Sequence, residues 1–447
     1  MRNLGTASQT PTAQAATVRC IDARKLAAAG SVIGLLAGCS TGASSTGQPT
    51  PSPIESWTMF RGDLSRDGHP STATLDSGAA ARLAVAWRAG MAGAVDGSPA
   101  VSEGRVVAGS QGGRLAAYDA STGSRLWEVV GLGPIAGSPS IAGHRVFAGS
   151  LSGHVRAFGL ARGERLWDWK APGVAPAIWS SPAVYGSLLL VGVGSQFGDT
   201  PLEVGRMIAL DVATGREAWA TCAMAGCDPG GGIWSTPAVD AAGRAFVGVG
   251  NPVDGILAFS ASSGSRLWTY SFYADAARDL DVGASPVLLD VAGREAVGVG
   301  SVAGVFKLLD ASSGAVIWSD ELVSGSPVHG LIASPGFDGT NLYVGSASAP
   351  TGMFALNPKG GGVIWRRQTD QAVYSSPAVG SGALVFGTGV VFGDLRSGSI
   401  IALASRDGHV LWSFDAHSAV HSSPAIAGNL VVVGDSNGDL FAFRPKS

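Results

Sequence analysis

The chain has 447 residues, enough for one large domain or two ordinary ones, and is 46% hydrophobic, only 14% charged, and holds 66 glycines. That much glycine without a collagen period calls for many tight turns, as an all-β repeat protein requires. The net charge is −3 with no long charge run, which argues against a nucleic-acid or other polyanionic partner.

At the start of the chain, Arg19, Arg24 and Lys25 precede an apolar run from Leu26 to Gly38. The run is too short to span a bilayer comfortably and ends in small residues, as an export signal does. The alternative is a short buried helix with an incidental cysteine. Leu36-Ala37-Gly38-Cys39 resembles the bacterial lipobox, which implies that residues 1–38 are a lipoprotein signal peptide and that Cys39 carries lipid. The residues ahead of Arg19 fit no part of a signal, as if the true start lay further on. Residues 39–56 are rich in Ser, Thr, Gly and Pro and read as a lipidated cysteine followed by a flexible tether. Loss of residues 1–38 leaves 26 basic and 32 acidic side chains, a net charge of −6. The expected location is therefore extracytoplasmic, anchored to a membrane of the cell envelope. Cys20 departs with the signal and Cys39 is modified, so Cys222 and Cys227 remain as a pair. A disulfide is the natural state outside the cytoplasm. A Cys-x4-Cys pair with no histidine nearby offers too few ligands for structural zinc.

From residue 57 to 447 the sequence repeats. A Ser-Pro or Thr-Pro pair recurs eight times, at Pro99, Pro139, Pro182, Pro237, Pro286, Pro335, Pro377 and Pro424. A tryptophan recurs in step, at Trp87, Trp127, Trp167, Trp219, Trp268, Trp318, Trp365 and Trp412, at intervals of 40 to 52 residues. Between each pair and the next tryptophan lie three short apolar runs bounded by glycine and then a turn such as Asp119-Ala120-Ser121-Thr122-Gly123. Four short β-rich runs per period predict one four-stranded propeller blade each. In the turn, the aspartate accepts backbone N–H groups and the glycine takes the left-handed position.

The fold expected is an all-β, eight-bladed β-propeller of four-stranded antiparallel blades. The first tryptophan precedes the first Ser-Pro, and the last blade, Ser423 to Phe443, ends without one. Arg82 to Trp87 must then supply the outer strand of the eighth blade and close the ring. The repeated tryptophan reads as packing between neighbouring blades, because every blade carries it.

The recurring Gly-Ser-x-x-Gly-x-Leu-x-Ala-x-Asp-x-x-Thr-Gly-x-x-x-Trp resembles the pyrroloquinoline-quinone (PQQ) propeller repeat over residues 57–447. That repeat is shared by quinoprotein alcohol dehydrogenases and by lipoproteins that assist outer-membrane barrel assembly. Three segments are similar to the polyvinyl-alcohol-dehydrogenase-like group: Trp57 to Leu64, Gly230 to Pro252, and Asp279 to Pro286. The resemblance implies PQQ and Ca²⁺ as cofactors. Asp281 would be the catalytic base and a calcium ligand, Asn251 and Glu203 further calcium ligands, and Trp234 the floor beneath the quinone. Trp234 stands three residues before its proline. In the other blades that register holds Asp96, Ala136, Trp179, Gly283, Ile332, Tyr374 and His421. These residues should ring one mouth of the central channel. Trp179, Trp234, Tyr374 and His421, with Asp96 beside them, then form a cofactor-binding funnel or plug the channel.

Departures from the family pattern weigh against that chemistry. Val302 stands where the dehydrogenases place a quinone-contacting lysine before a repeat glycine, and Lys307 is out of register. Neither an adjacent Cys-Cys pair nor a Cys-x-x-Cys-His motif occurs, so electrons would need a separate acceptor such as a cytochrome. Two readings stand: a PQQ- and calcium-dependent alcohol dehydrogenase, or a non-catalytic envelope scaffold that binds a polymer or protein partner. Either is expected to be a monomer.

Overall fold

In the computed structural model, which describes residues 55–70, 74–273, 280–391 and 393–446, each glycine-bounded apolar run is a strand. The strands form eight four-stranded antiparallel sheets, each in sequence order except the last to close. The first blade is Ala100–Ser102, Arg105–Ser110, Arg114–Asp119 and Arg125–Val129. The two middle strands of a blade are buried on both faces, as Arg105–Ser110 is, because they are covered by the blades on either side. The outermost strands alternate between exposed residues and an inward-facing tryptophan, as Arg165–Lys170 does.

Innermost strands are shorter than the strands beside them. Seven of the eight have two or three residues, and each begins directly after the repeat proline, which lacks the N–H that a longer ladder needs. The ring closes as the phase of the repeats requires. Leu83–Gly90 pairs antiparallel with Asp439–Pro445, Leu83 opposite Pro445 and Gly90 opposite Asp439.

The repeated tryptophans join blade to blade. Seven of the eight donate their indole N–H to a carbonyl in the next blade's outer turn, as Trp87 does to Ala120 at 3.2 Å and Trp127 to Leu160 at 2.8 Å. The eighth, Trp412, packs edge-on against Phe443 with ring centroids 5.0 Å apart. The turn glycines serve two purposes. Gly123 has φ +72°, and a Cβ there would lie 2.7 Å from the Trp87 ring, so both backbone and packing exclude a side chain.

A second set of bonds runs around the axis. The hydroxyl of each repeat Ser or Thr accepts the backbone N–H of the preceding blade's equivalent residue, from Ser98 N–H to Ser138 Oγ round to Ser376 N–H to Ser423 Oγ. These seven bonds measure 2.8 to 3.0 Å. Only the step from the last blade to the first is left open, where Ser98 Oγ is buried with no partner among the described residues.

Below this girdle the segment Trp57–Pro70 runs around the inside of the channel as a strap. Its carbonyls accept the N–H groups of Val101, Ile141, Val239, Leu288, Phe337 and Val379, each the second residue after a repeat proline. Its arginines take the prolines' carbonyls. Arg61, 1% exposed, donates to Pro377 and, at 2.8 Å, to Pro335; Arg66, fully buried, donates to Pro237 at 2.9 Å. Burial pushes Arg61 down to about 9 and Arg66 to about 10, so both remain cationic at neutral pH. Burial, reinforced by the Asp63 carboxylate, raises Asp67 to about 6.

Trp318, stacked on Phe306 at 5.5 Å and donating to Pro358 at 2.9 Å, tests the blade contacts. Trp318→Ala should lose about 3 to 5 kcal/mol in urea unfolding. Trp318→Phe, which keeps most of the buried area, should lose markedly less, and equal losses would contradict the packing role. For the strap, Asp67 in the fold holds a proton that the unfolded chain releases near pH 4. Its contribution therefore favours the fold at low pH and is lost as pH rises from about 4 to 6. Asp67→Asn should stabilise the protein by about 1 to 2 kcal/mol at pH 7, allowing for the residue's partial exposure, and hardly at all at pH 4.

Candidate functional site

The positions three residues before each proline converge on the axis. Asp96, Ala136, Trp179, Trp234, Gly283, Ile332 and Tyr374 line one cavity of about 160 Å³ together with the hydroxyl girdle, and Phe60 of the strap also lines it. A larger cavity of about 370 Å³ lies on the same axis and shares Trp179, Trp234, Ile332 and Tyr374 with the first. These four side chains are thus the floor of an open cup and the roof of the narrow channel. Of the residues expected to form the funnel, Trp179, Trp234 and Tyr374 line both cavities, Asp96 lines only the narrower one, and His421 lines neither.

Rim loops form the cup's wall, and the axial aromatics hold those loops. Trp179 donates its indole N–H to Ser195 O at 2.9 Å, Tyr374 its phenol O–H to Val328 O at 3.0 Å, and His421 Nε2 lies 2.9 Å from Val390 O. The carbonyl at Val390 requires the proton on Nε2. Nδ1 then accepts from Ser436 Oγ at 3.3 Å when the ring is neutral, or faces Asp96 at 3.6 Å as an imidazolium. Burial alone would raise Asp96, but hydrogen bonds from His421 and from Gln111 Nε2, at 2.9 Å, hold it below the usual carboxylate range. Tyr374 packs edge-on to His421 with centroids 5.9 Å apart, and burial pushes its phenol up.

Trp234 is fixed differently. Its ring lies over Gly283 of the next blade, where a Cβ would sit 1.6 Å from the indole. Glycine at that register is what leaves room for the indole's benzo ring in the floor. Asn251 and Asp281 lie together on the wall, with Asp281 Oδ1 accepting the Asn251 backbone N–H at 2.8 Å.

One predicted contributor stands elsewhere, and Lys307, out of register in the sequence, is also remote from the cup. Glu203 is buried, but its carboxylate accepts Ala175 N–H at 2.5 Å and packs on Gly173, which fastens a neighbouring loop; it is not part of the cup's lining. Lys307 lies over the Tyr270 and Phe272 rings and donates to Ser319 at 3.2 Å, away from the cup. Cys222 and Cys227 form a disulfide with sulfurs 2.03 Å apart, just ahead of the glycine run that leads to Trp234. Cys39, the signal segment and the tether through residue 54 lie outside the described residues.

Sequence reasoning missed the apolar wall, formed by Phe197, Leu202, Val328 and Val391. These residues stand in irregular loops between strands, where no period marks them.

A tricarboxylate quinone does not suit this lining. Among the described residues the cup carries no lysine or arginine, and its charged members are Asp199 and Asp281. Nor do the described residues hold a group of three or more acidic, histidine or cysteine side chains able to bind a metal ion. With Glu203 turned away, Asn251 and Asp281 alone fall short of the six to eight oxygens calcium takes.

A family model described as outer membrane protein assembly factor BamB matches residues 79–226, 203–304 and 301–447. Among solved structures, the chain is similar to a quinohemoprotein alcohol dehydrogenase from Comamonas testosteroni, at 15% identity and a TM-score of 0.76. That match covers 88% of this chain and 81% of the other. A europium-containing methanol dehydrogenase is similar at 17% identity and a TM-score of 0.72, covering 87% of this chain and 98% of that one. BamB from Moraxella catarrhalis is similar at 16% identity and a TM-score of 0.60, covering 81% and 97%. At such identities the likeness shows the fold. No curated protein matches.

Gly283→Ala tests the floor. The added methyl must displace the Trp234 ring, so the variant should fold with lower stability and a shifted tryptophan emission maximum. An unchanged spectrum and unfolding midpoint would place the ring elsewhere.

Proposed function

The chain belongs to the PQQ-repeat propeller family whose model is described as outer membrane protein assembly factor BamB, and from that premise we propose that it is an exported, lipid-anchored binding propeller of the cell envelope. It presents a preformed cup to a ligand or partner and performs no redox chemistry of its own. The observation that carries this reading is the lining itself. Its aromatic floor is pinned by hydrogen bonds to the rim and its wall is apolar, while the described residues offer no cation for a carboxylated quinone. Preformed apolar pockets with a few convergent polar groups are ordinary binding sites.

Export and anchoring are supported by the basic and apolar start of the chain, the lipobox ending at Cys39, and the disulfide. Lipid would hold the propeller at a membrane surface, where an envelope protein is a natural partner. The second reading, an alcohol dehydrogenase passing electrons to a separate cytochrome, is favoured by the placing of Asn251 and Asp281 beside Trp234 in one cup.

Thermal unfolding with PQQ, Ca²⁺, both or neither separates the readings. A ligand at about 100 times its dissociation constant stabilises a fold by roughly 2.7 kcal/mol. The binding reading expects no rise in midpoint, and a rise that needs both additives would replace it with the quinoprotein reading. In parallel, Cys39→Ala should move the protein from the membrane fraction to the soluble one.

A further inference from the structure

The hydroxyl girdle holds more donors than the described residues can use. At each of its seven closed steps a serine or threonine oxygen accepts an N–H, and the proton of that hydroxyl has no acceptor among the described residues. The open step adds more. Ser98 Oγ has no partner there, and neither the Ser423 N–H that would complete the ring nor the Gly97 N–H makes a hydrogen bond to a described residue. Ser98 is 2% exposed and Ser423 6%, and both line the narrow chamber of about 160 Å³ together with Gly97 and the other six girdle residues. Buried donors are nearly always paired in native proteins, so the acceptor these lack has to come from the chamber.

The charges of the strap favour the same kind of occupant. Arg61 and Arg66 are buried, and every hydrogen bond they make to a described residue ends on a backbone carbonyl, never on a carboxylate. One of those carbonyls, which accepts Arg66 Nη1 at 2.6 Å, belongs to Phe60, a lining residue of the chamber. Asp96 is the opposing charge in the lining, but both its oxygens are engaged, Oδ2 by Gln111 Nε2 at 2.9 Å and Oδ1 facing His421 Nδ1 at 3.6 Å. We propose that the chamber binds a small monovalent inorganic anion such as chloride, held at the open step by the Ser98 O–H and the Ser423 N–H. Water could accept from these donors too, but it must place two protons of its own, whereas an anion only accepts and offsets buried positive charge. At roughly 30 Å³ per water, the chamber has room for the ion and a few waters beside it. The site lies beneath the floor and is independent of what the cup takes.

The test locates the ion and weighs it. Crystals of the full-length protein grown in sodium bromide should show an anomalous-scattering peak between Ser98 and Ser423. In detergent solution, with ionic strength held by sodium gluconate, the thermal midpoint should rise saturably as chloride replaces gluconate. Ser98→Ala should raise the half-saturating chloride concentration at least about fivefold, since a hydrogen bond to a charged group is worth that or more. In gluconate alone the same variant should be no less stable than the wild type, because it removes a hydroxyl that no described residue meets. Ser98→Thr keeps the hydroxyl in a register where Thr236 already fits, and should retain the chloride response. Absence of the anomalous peak together with a midpoint insensitive to chloride would mean that water alone fills the chamber and would overturn the proposal. A bromide peak elsewhere in the channel, or a chloride response unchanged in folded Ser98→Ala, would also overturn it. So would equal destabilisation of Ser98→Ala in gluconate and in chloride, which would make the hydroxyl structural.

Discussion

Every blade of this propeller turns the free edge of its innermost strand toward the axis, and the satisfaction of those edges is the constraint on which the remaining structure rests. A buried backbone N–H or C=O without a partner costs as much as a lost hydrogen bond, and here the deficit would repeat eight times around a narrow channel. Two devices meet it. The repeat Ser and Thr hydroxyls take N–H groups from blade to blade, and the Trp57–Pro70 strap supplies carbonyls to the strands and guanidinium donors to the prolines. Two buried cations are tolerated because most of their donors meet fixed carbonyls, those of Pro237, Pro335 and Pro377 and of the strap itself, while Arg66 Nη2 has no partner among the described residues.

The register three residues before each proline stands just above the hydroxyl girdle, so whatever side chains occupy it must gather around the axis. Here three are aromatic and form a floor, one is a glycine that makes room for a ring, and Asp96 stands beside His421. The site is thus a by-product of the closure geometry, given chemical character by a few side chains. Its rigidity comes from bonds between floor and rim, which draw three separate loops onto one centre.

The parts of this arrangement that repeat were legible in the sequence, because eightfold repetition exposes a constraint that one copy would hide. The tryptophans, the turn aspartates and the phase shift at the ends led directly to blades and closure. The Ser-Pro pairs marked the period, although their hydroxyl bonds became visible only when neighbouring blades stood side by side. Most features that occur once were not legible, the Cys222–Cys227 disulfide being an exception. Arg61 and Arg66 look like ordinary surface residues in a polar segment, and nothing local signals that the segment will thread a channel. Glu203 illustrates the opposite hazard. Its position in the chain resembles a ligand's, yet a single hydrogen bond to Ala175 sets its direction, and sequence distance does not encode direction.

Closure between Leu83–Gly90 and Asp439–Pro445 has a temporal side as well. The Arg88 and Asp439 side chains that meet across this seam are 351 residues apart in sequence, so the pairing has nearly the highest contact order the chain permits. Until the final strand has been made, the first stands as an unmatched edge with half-formed blades behind it, open to association with other chains. A molecule that completes its ring last carries that open edge throughout its synthesis, a hazard distinct from the stability of the finished fold.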